Sequence, residues 1–176
     1  GGESQFIYGD ILAQLSLAYL NNKEFDKGKQ AALEAHNTFR VITGENSIYT
    51  ISMLLRSHNA GYLSRQVDPP DLLEQYRDFF MRQKDHSLYE TWLVFIADSY
   101  YFHGDFSNAL ESYVLLLEYL NQFEDGGEHL ALYAKRNVLI RLADIEFELG
   151  NHKPAREYLE LVRQEADKVL VSPSMA

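Results

Sequence analysis

Positions spaced three and four apart share an apolar character along nearly the whole chain. Ile11, Leu12, Leu15, Ala18 and Tyr19 follow this spacing; so do Leu93, Ile96, Ala97 and Tyr100, and then Leu139, Leu142 and Ala143, with Glu146 next in register. This is the period of an amphipathic helix. Alternating stretches bounded by hairpin turns, the mark of strands, are nearly absent. Breakers interrupt the pattern at Asn21-Asn22, Gly44, Asp68-Pro69-Pro70, Asp85, Gly104-Asp105, Gly126-Gly127, Gly150-Asn151 and Ser172-Pro173. Gly44, Gly104 and Gly150 predict left-handed helix ends. Asp68 before Pro69 predicts an N-cap with proline in the first turn, and Asp105 predicts a second N-cap. About eight helices follow, joined by loops short enough to set neighbours antiparallel.

The helices repeat as pairs. One copy runs Leu15-Ser16-Leu17-Ala18-Tyr19, then Asn22-Lys23-Glu24-Phe25, then Gly28, Ala32 and Ala35. A second runs Ile96-Ala97-Asp98-Ser99-Tyr100, then His103-Gly104-Asp105-Phe106, then Ala109, Tyr113 and Leu116. A third runs Leu142-Ala143-Asp144-Ile145-Glu146, then Leu149-Gly150-Asn151-His152, then Ala155, Leu159 and Val162. The gap between Gly28 and Ala109 leaves room for one more pair, in which Leu72, Tyr76 and Phe79 keep helical spacing. Each pair is apolar on two faces, so stacking is what completes a core, and small residues at Ala18, Gly28, Ala97, Ala109, Ala143 and Ala155 let helices approach closely.

This pattern resembles the tetratricopeptide repeat (TPR) superfamily: a small residue within the first helix, an aromatic three later, a tight turn with Gly and an aromatic, and a small residue opening the second helix. Ala97, Tyr100, Gly104, Phe106 and Ala109 match closely, whereas the first copy has Lys23 at the turn and the third has Glu146 at the aromatic position. The units exceed the usual length of about 34 residues. In this they are similar to kinesin light chains and to sensor domains of bacterial transcription regulators, as is the turn Thr43-Gly44-Glu45-Asn46. The resemblance implies an all-α, right-handed α-solenoid of about four antiparallel helix pairs. Residues 1–176 are then one repeat domain with units 6–44, 45–84, 85–126 and 127–171, expected to be part of a larger protein.

In such repeats, first-helix residues outside the core line a concave groove. Projected onto this sequence, the partner-binding groove comprises Leu17 and Asn21 from the first copy, Val94, Asp98, Tyr101 and Phe102 from the next, and Asn137, Asp144, Phe147 and Glu148 from the last, with Ala13, Leu20, Thr91 and Ile140 beside them. Asp98 and Asp144 fall at equivalent positions, so an acidic stripe on an aromatic surface is expected. It suits a basic or amphipathic protein or peptide. Family members that clamp a terminal carboxylate do so with Lys, Asn and Arg; Leu17, Asp98 and Asp144 stand at those positions, so carboxylate tails are expected to be rejected. Both aspartates also fit ordinary surface or capping charges, and aromatic stripes such as Tyr101-Phe102 and Phe147 more often pack in a core than bind. The sole tryptophan, Trp92, is expected to pack at a helix start.

Composition narrows the function classes. Sixteen basic and 26 acidic residues give a net charge of −10, which repels phosphate backbones and anionic membranes, and the densest basic stretch, Lys23 to Lys29, is interleaved with Glu24 and Asp26. No nucleic-acid or membrane partner is expected; the longest apolar run, Trp92 to Ala97, ends at Asp98. The chain has no cysteine, which excludes disulfides and thiolate metal sites and fits a cytoplasmic setting. The six histidines form no pair at helical spacing, and Gly126-Gly127 with its acidic neighbours lacks calcium-loop spacing, so no metal or other cofactor is expected. No nucleophile elbow, phosphate loop or triad is recognisable, so no enzymatic activity is expected.

A protein- or peptide-interaction module is therefore the leading expectation. Two others stand beside it. One is a ligand-sensing domain of a transcription regulator. The other is a homo-oligomeric scaffold, possibilities for a homodimer arising where Lys153 to Leu170 shows no obvious polar cap.

Overall fold

A computed structural model describes residues 2–82, 86–122 and 129–171. Among these every regular element is helical: α1 (Gly2–Asn21), α2 (Phe25–Thr43), α3 (Ile48–Leu63), α4 (Asp71–Glu74), α5 (Arg77–Arg82), α6 (His86–Phe102), α7 (Phe106–Asn121), α8 (His129–Glu148) and α9 (His152–Val171). Among the described residues nine helices stand where about eight were expected, because the second helix of the second pair is broken into α4 and α5. The breakers at Asp85, Gly126-Gly127 and Ser172-Pro173 lie outside the described residues. No described helix is long and apolar enough to cross a membrane, and no group of three or more described His, Asp or Glu residues could hold a metal ion.

The turn inside each pair is built the same way four times. Lys23, Arg65, Gly104 and Gly150 all take positive φ, at 61°, 62°, 76° and 80°. In each case the next residue's N–H reaches back to a carbonyl five residues earlier: Glu24 to Tyr19 at 2.9 Å, Gln66 to Gly61 at 2.7 Å, Asp105 to Tyr100 at 3.0 Å and Asn151 to Glu146 at 2.8 Å. This satisfies carbonyls that the helix end leaves unpaired. The second helix pair, weakest in sequence, thus keeps the repeat's turn. It differs at two slots counted from that turn. His58 fills the place of Ser16, Ala97 and Ala143, and Gly61 the place of Tyr19, Tyr100 and Glu146. The exchange is complementary. His58 is fully buried with its ring 5.0 Å from Phe95, while Gly61 leaves space for the Gln66 carbonyl, which would stand 2.6 Å from any added Cβ.

Caps follow the sequence with one exception. Asp105 accepts from the Asn108 N–H at 3.3 Å and starts α7. Ser47, unremarked in the sequence pattern, caps α3 by accepting from the Thr50 N–H at 3.2 Å. Asp68 does not cap. The chain stays non-helical through Pro69 and Pro70, α4 begins at Asp71, and Asp68 pairs instead with Lys29 at 2.6 Å, with His58 Nδ1 at 3.9 Å on its other oxygen.

The chain divides into two compact units, residues 1–95 and 96–176. In the first, α2 packs against both α1 and α3. Leu12, Ala13, Ala35, Phe39 and Met53 form one core cluster, with Phe6 edge-on to Phe39 at 5.4 Å. Ser16 Oγ donates to the Gly28 carbonyl at 2.8 Å, drawing α1 and α2 together. The buried stripe of α1 is Gly9, Leu12, Ala13 and Ser16, so Ile11, Leu15 and Ala18 face outward, contrary to the periodic expectation. Leu73 in α4, Tyr76 in the turn after it and Phe80 in α5, not Leu72 and Phe79, supply the buried face of this segment. Trp92 packs, stacked 5.5 Å from Phe80, but in the second turn of α6 rather than at the expected helix start. In the second unit α8 packs against α7 and α9, around Ile96, Ala97, Ala109, Leu116, Leu139, Leu142, Ile145 and Ala155. Glu146, at the aromatic position, is buried and receives the Asn151 side-chain amide at 2.7 Å.

Candidate functional site

The second unit gathers two carboxylates, one guanidinium and several aromatic rings on α6, α7 and α8. Asp98 and Asp144 occupy the same place in their repeats, but the structure treats them differently. Asp98 is buried in α6 and receives the Tyr113 hydroxyl of α7 on Oδ1. Burial pushes its carboxyl above the ordinary carboxylate value, and the Tyr113 hydrogen bond and the charge of Arg141 pull in the opposite direction. It is therefore corrected from an open groove contact to an internal charge. Asp144 on α8 is exposed and accepts from the Tyr101 hydroxyl on Oδ2. That bond is the first cause of a Tyr101 phenol raised above its usual value.

Arg141 ties the group together. It lies one helical turn before Asp144, so both project from neighbouring positions on α8. Its guanidinium sits 4.6 Å from the Tyr101 ring centroid and 5.6 Å from that of Phe102, within cation–π range. The expected acidic stripe is thus partly neutralised from within, and the ring of Tyr101 is held between a cation on its face and a carboxylate at its hydroxyl. Phe102 and Phe106 meet Tyr101 edge-on at 5.4 Å and 6.0 Å.

Around this network α8 presents an outward row. Asn137, Ile140, Asp144, Phe147 and Glu148 are all exposed, Phe147 by 61%. Phe102 on α6 is also exposed. Phe147 touches the His152 ring at 5.2 Å, which fixes one edge and leaves the rest open. Of the other groove residues, Leu17 and Asn21 are exposed on α1 and Val94 is half-buried on α6, all within residues 1–95. Tyr113 and Arg141 carry the network without having been singled out for it. The available signals were the tyrosine, rather than phenylalanine, at a core position of α7, and the cation one turn before Asp144.

No family model matches the chain, and no curated protein matches it by sequence. Among solved structures it is similar to the crystal structure of BtubC (BKLC) from P. vanneervenii, with a TM-score of 0.70 and 15% sequence identity. The match covers 96% of this chain and 66% of that one, so the chain spans about two thirds of its neighbour's length. At this identity the likeness shows the fold: an all-α, TPR-like arrangement of helices.

Proposed function

We propose that the chain is a non-catalytic protein-interaction module that binds an amphipathic segment of a partner protein on the outward face of α8 and the adjoining end of α6. The observation that carries this reading is the exposed row Ile140, Asp144 and Phe147 beside Phe102, anchored by the Tyr101–Asp144–Arg141 network. Large apolar side chains held on a rigid helical frame are the usual anchors of such interfaces, and little ordering entropy is lost when they bind. The fitting partner presents apolar residues at helical spacing toward Ile140 and Phe147 and a basic residue toward Asp144 and Glu148. The helical-repeat fold is compatible with this role.

The test is an array of amphipathic peptides with basic flanks, probed with the chain and with Phe147→Ala and Asp144→Lys. Binding that falls about tenfold or more with either variant is the expected outcome, given that hot-spot truncations cost upward of about 1–2 kcal/mol. Binding unchanged in both, with circular dichroism unchanged, would sink the assignment.

A further inference from the structure

The carboxylate of Asp144 is exposed, yet only part of it is on offer. Its Oδ2 receives the Tyr101 hydroxyl. That bond raises the Tyr101 phenol, so the hydroxyl keeps its proton and goes on donating across the neutral range. Oδ1 carries no hydrogen bond among the described residues and is the oxygen left to a partner. The two nearest rings are already engaged as well: the Arg141 guanidinium lies 4.6 Å from the centroid of Tyr101 and 5.6 Å from that of Phe102.

We propose that Tyr101 and Arg141 make the α8 face selective for lysine over arginine, so that the partner segment presents a lysine to Oδ1 of Asp144. This rests on the docking reading and narrows the basic residue it calls for. Arginine ordinarily outdoes lysine at interfaces for two reasons. Its planar fork grips both oxygens of one carboxylate in parallel, and its guanidinium stacks on aromatic faces. Both advantages are pre-empted here. Tyr101 stands on one of the two oxygens. Arg141 already holds the stacking position, where a second guanidinium would meet a like charge. Lysine needs neither arrangement, because its ammonium is a compact point charge with rotatable donors, one of which satisfies a single oxygen. Glu148, exposed one turn beyond Asp144 on α8, attracts either cation and does not choose between them. Tyr101 is thus a positioning residue: it acts by fixing which oxygen of Asp144 is presented.

The probes are three labelled peptides based on the tightest binder of the amphipathic array, identical except for lysine, arginine or norleucine at its basic position. Each is titrated by fluorescence anisotropy. The lysine peptide should bind about fivefold or more tighter than the arginine peptide, the difference that one forgone hydrogen bond to a charged group makes. Both should bind more tightly than the norleucine peptide. Tyr101→Phe, folded by circular dichroism, frees Oδ2 and should bring the arginine peptide level with the lysine peptide or past it. A merely structural role for Tyr101 would instead weaken all three alike. Arg141→Gln clears the ring faces and should narrow the preference by a separate route, which keeps the proposal testable where Tyr101→Phe does not fold. Glu148→Gln should weaken the lysine and arginine peptides together and leave the preference in place. Equal affinity of these two peptides for the wild type overturns the lysine assignment, as does a preference that Tyr101→Phe and Arg141→Gln both leave unchanged. The docking reading survives either result, provided the norleucine peptide still binds more weakly. A norleucine peptide that binds as well as the others, or an array without a binder, overturns that reading and this inference with it.

Discussion

The Tyr113 hydroxyl donates its hydrogen bond to the buried carboxylate of Asp98, linking α7 to α6 inside the second unit. Burial raises the Asp98 pKa above its ordinary 3.8, and the Tyr113 bond opposes that rise. A carboxyl raised in the native state holds a proton that the unfolded chain has released, so stability declines as pH rises from about 3.8 through the raised native value. Asp98→Asn removes the titration. Its urea midpoint should therefore gain on that of the wild type as pH rises across this window and run parallel to it below pH 3.8. Tyr113→Phe works the other way: it should cost about 1.5–3 kcal/mol at neutral pH, the usual loss for a bond to a charged group, and extend the declining window upward. Equal pH profiles for all three proteins would show that Asp98 is not desolvated.

The Tyr101–Asp144 bond makes a separate spectroscopic prediction. The Tyr101 phenol is raised above 10.0 first by that hydrogen bond, then by burial and by the Asp144 charge, with Arg141 acting against them. NMR of labelled tyrosine should find Tyr101 titrating above the ordinary phenol. Asp144→Asn should move it down, and Arg141→Gln should move it further up. A Tyr101 phenol that ignores both substitutions would mean that the network does not persist in solution.

The same residues show where the sequence speaks and where it falls silent. Gly104 and Gly150 announce their turns because glycine is the residue that most readily takes the left-handed conformation. Lys23 and Arg65 adopt it too, and nothing in a lysine or an arginine signals that, so the second helix pair looks more degenerate than it is. In α1 the three-and-four spacing fits two opposite faces, since both are apolar, and periodicity cannot choose between them. Leu72-Leu73 and Phe79-Phe80 pose the same choice between neighbours. Asp98 and Asp144 share a register, so only the tertiary reach of Tyr113 distinguishes the buried one from the exposed one. Asp68 reads as a cap by composition. Its long-range partner Lys29 is 39 residues away, beyond what local patterning can register.

The exchange of His58 and Gly61 predicts an asymmetric sensitivity to added bulk. An alanine at position 61 would put Cβ 2.6 Å from the Gln66 carbonyl and 3.2 Å from Lys29 Nζ. Lysine can swing away. The Gln66 carbonyl is main chain, set by the turn in which the Gln66 N–H bonds the Gly61 carbonyl at 2.7 Å. Gly61→Ala should therefore cost about 1–3 kcal/mol, as over-packing does, seen as a lower urea midpoint with an unchanged slope. Gly2→Ala, with nothing within 4 Å, serves as the control and should be close to neutral.

Trp92 offers a native probe of the first unit. It is 2% exposed, its indole N–H donates to the Leu73 carbonyl at 3.1 Å, and its ring stacks on Phe80 and Tyr89 at 5.5 Å and 5.9 Å. These contacts seat α4, α5 and α6 on one ring, and the Arg77 guanidinium lies 5.7 Å from it. Fluorescence excited at the red edge of the indole band, beyond tyrosine absorption, should come from this indole, be blue-shifted relative to the unfolded chain, and resist quenching by iodide. Trp92→Phe keeps the stacking and loses the bond to Leu73, whose carbonyl still accepts the Tyr76 N–H at 3.2 Å. The remaining acceptor limits the penalty to the low end of the about 1–3 kcal/mol expected for a lost buried partner. Trp92→Ala also empties the space beside Phe80 and should cost about 3–5 kcal/mol. The difference between the two variants, measured by urea denaturation followed by circular dichroism, separates ring packing from the hydrogen bond. Near-equal losses would mean that the bond, not the stack, holds α6 against α4.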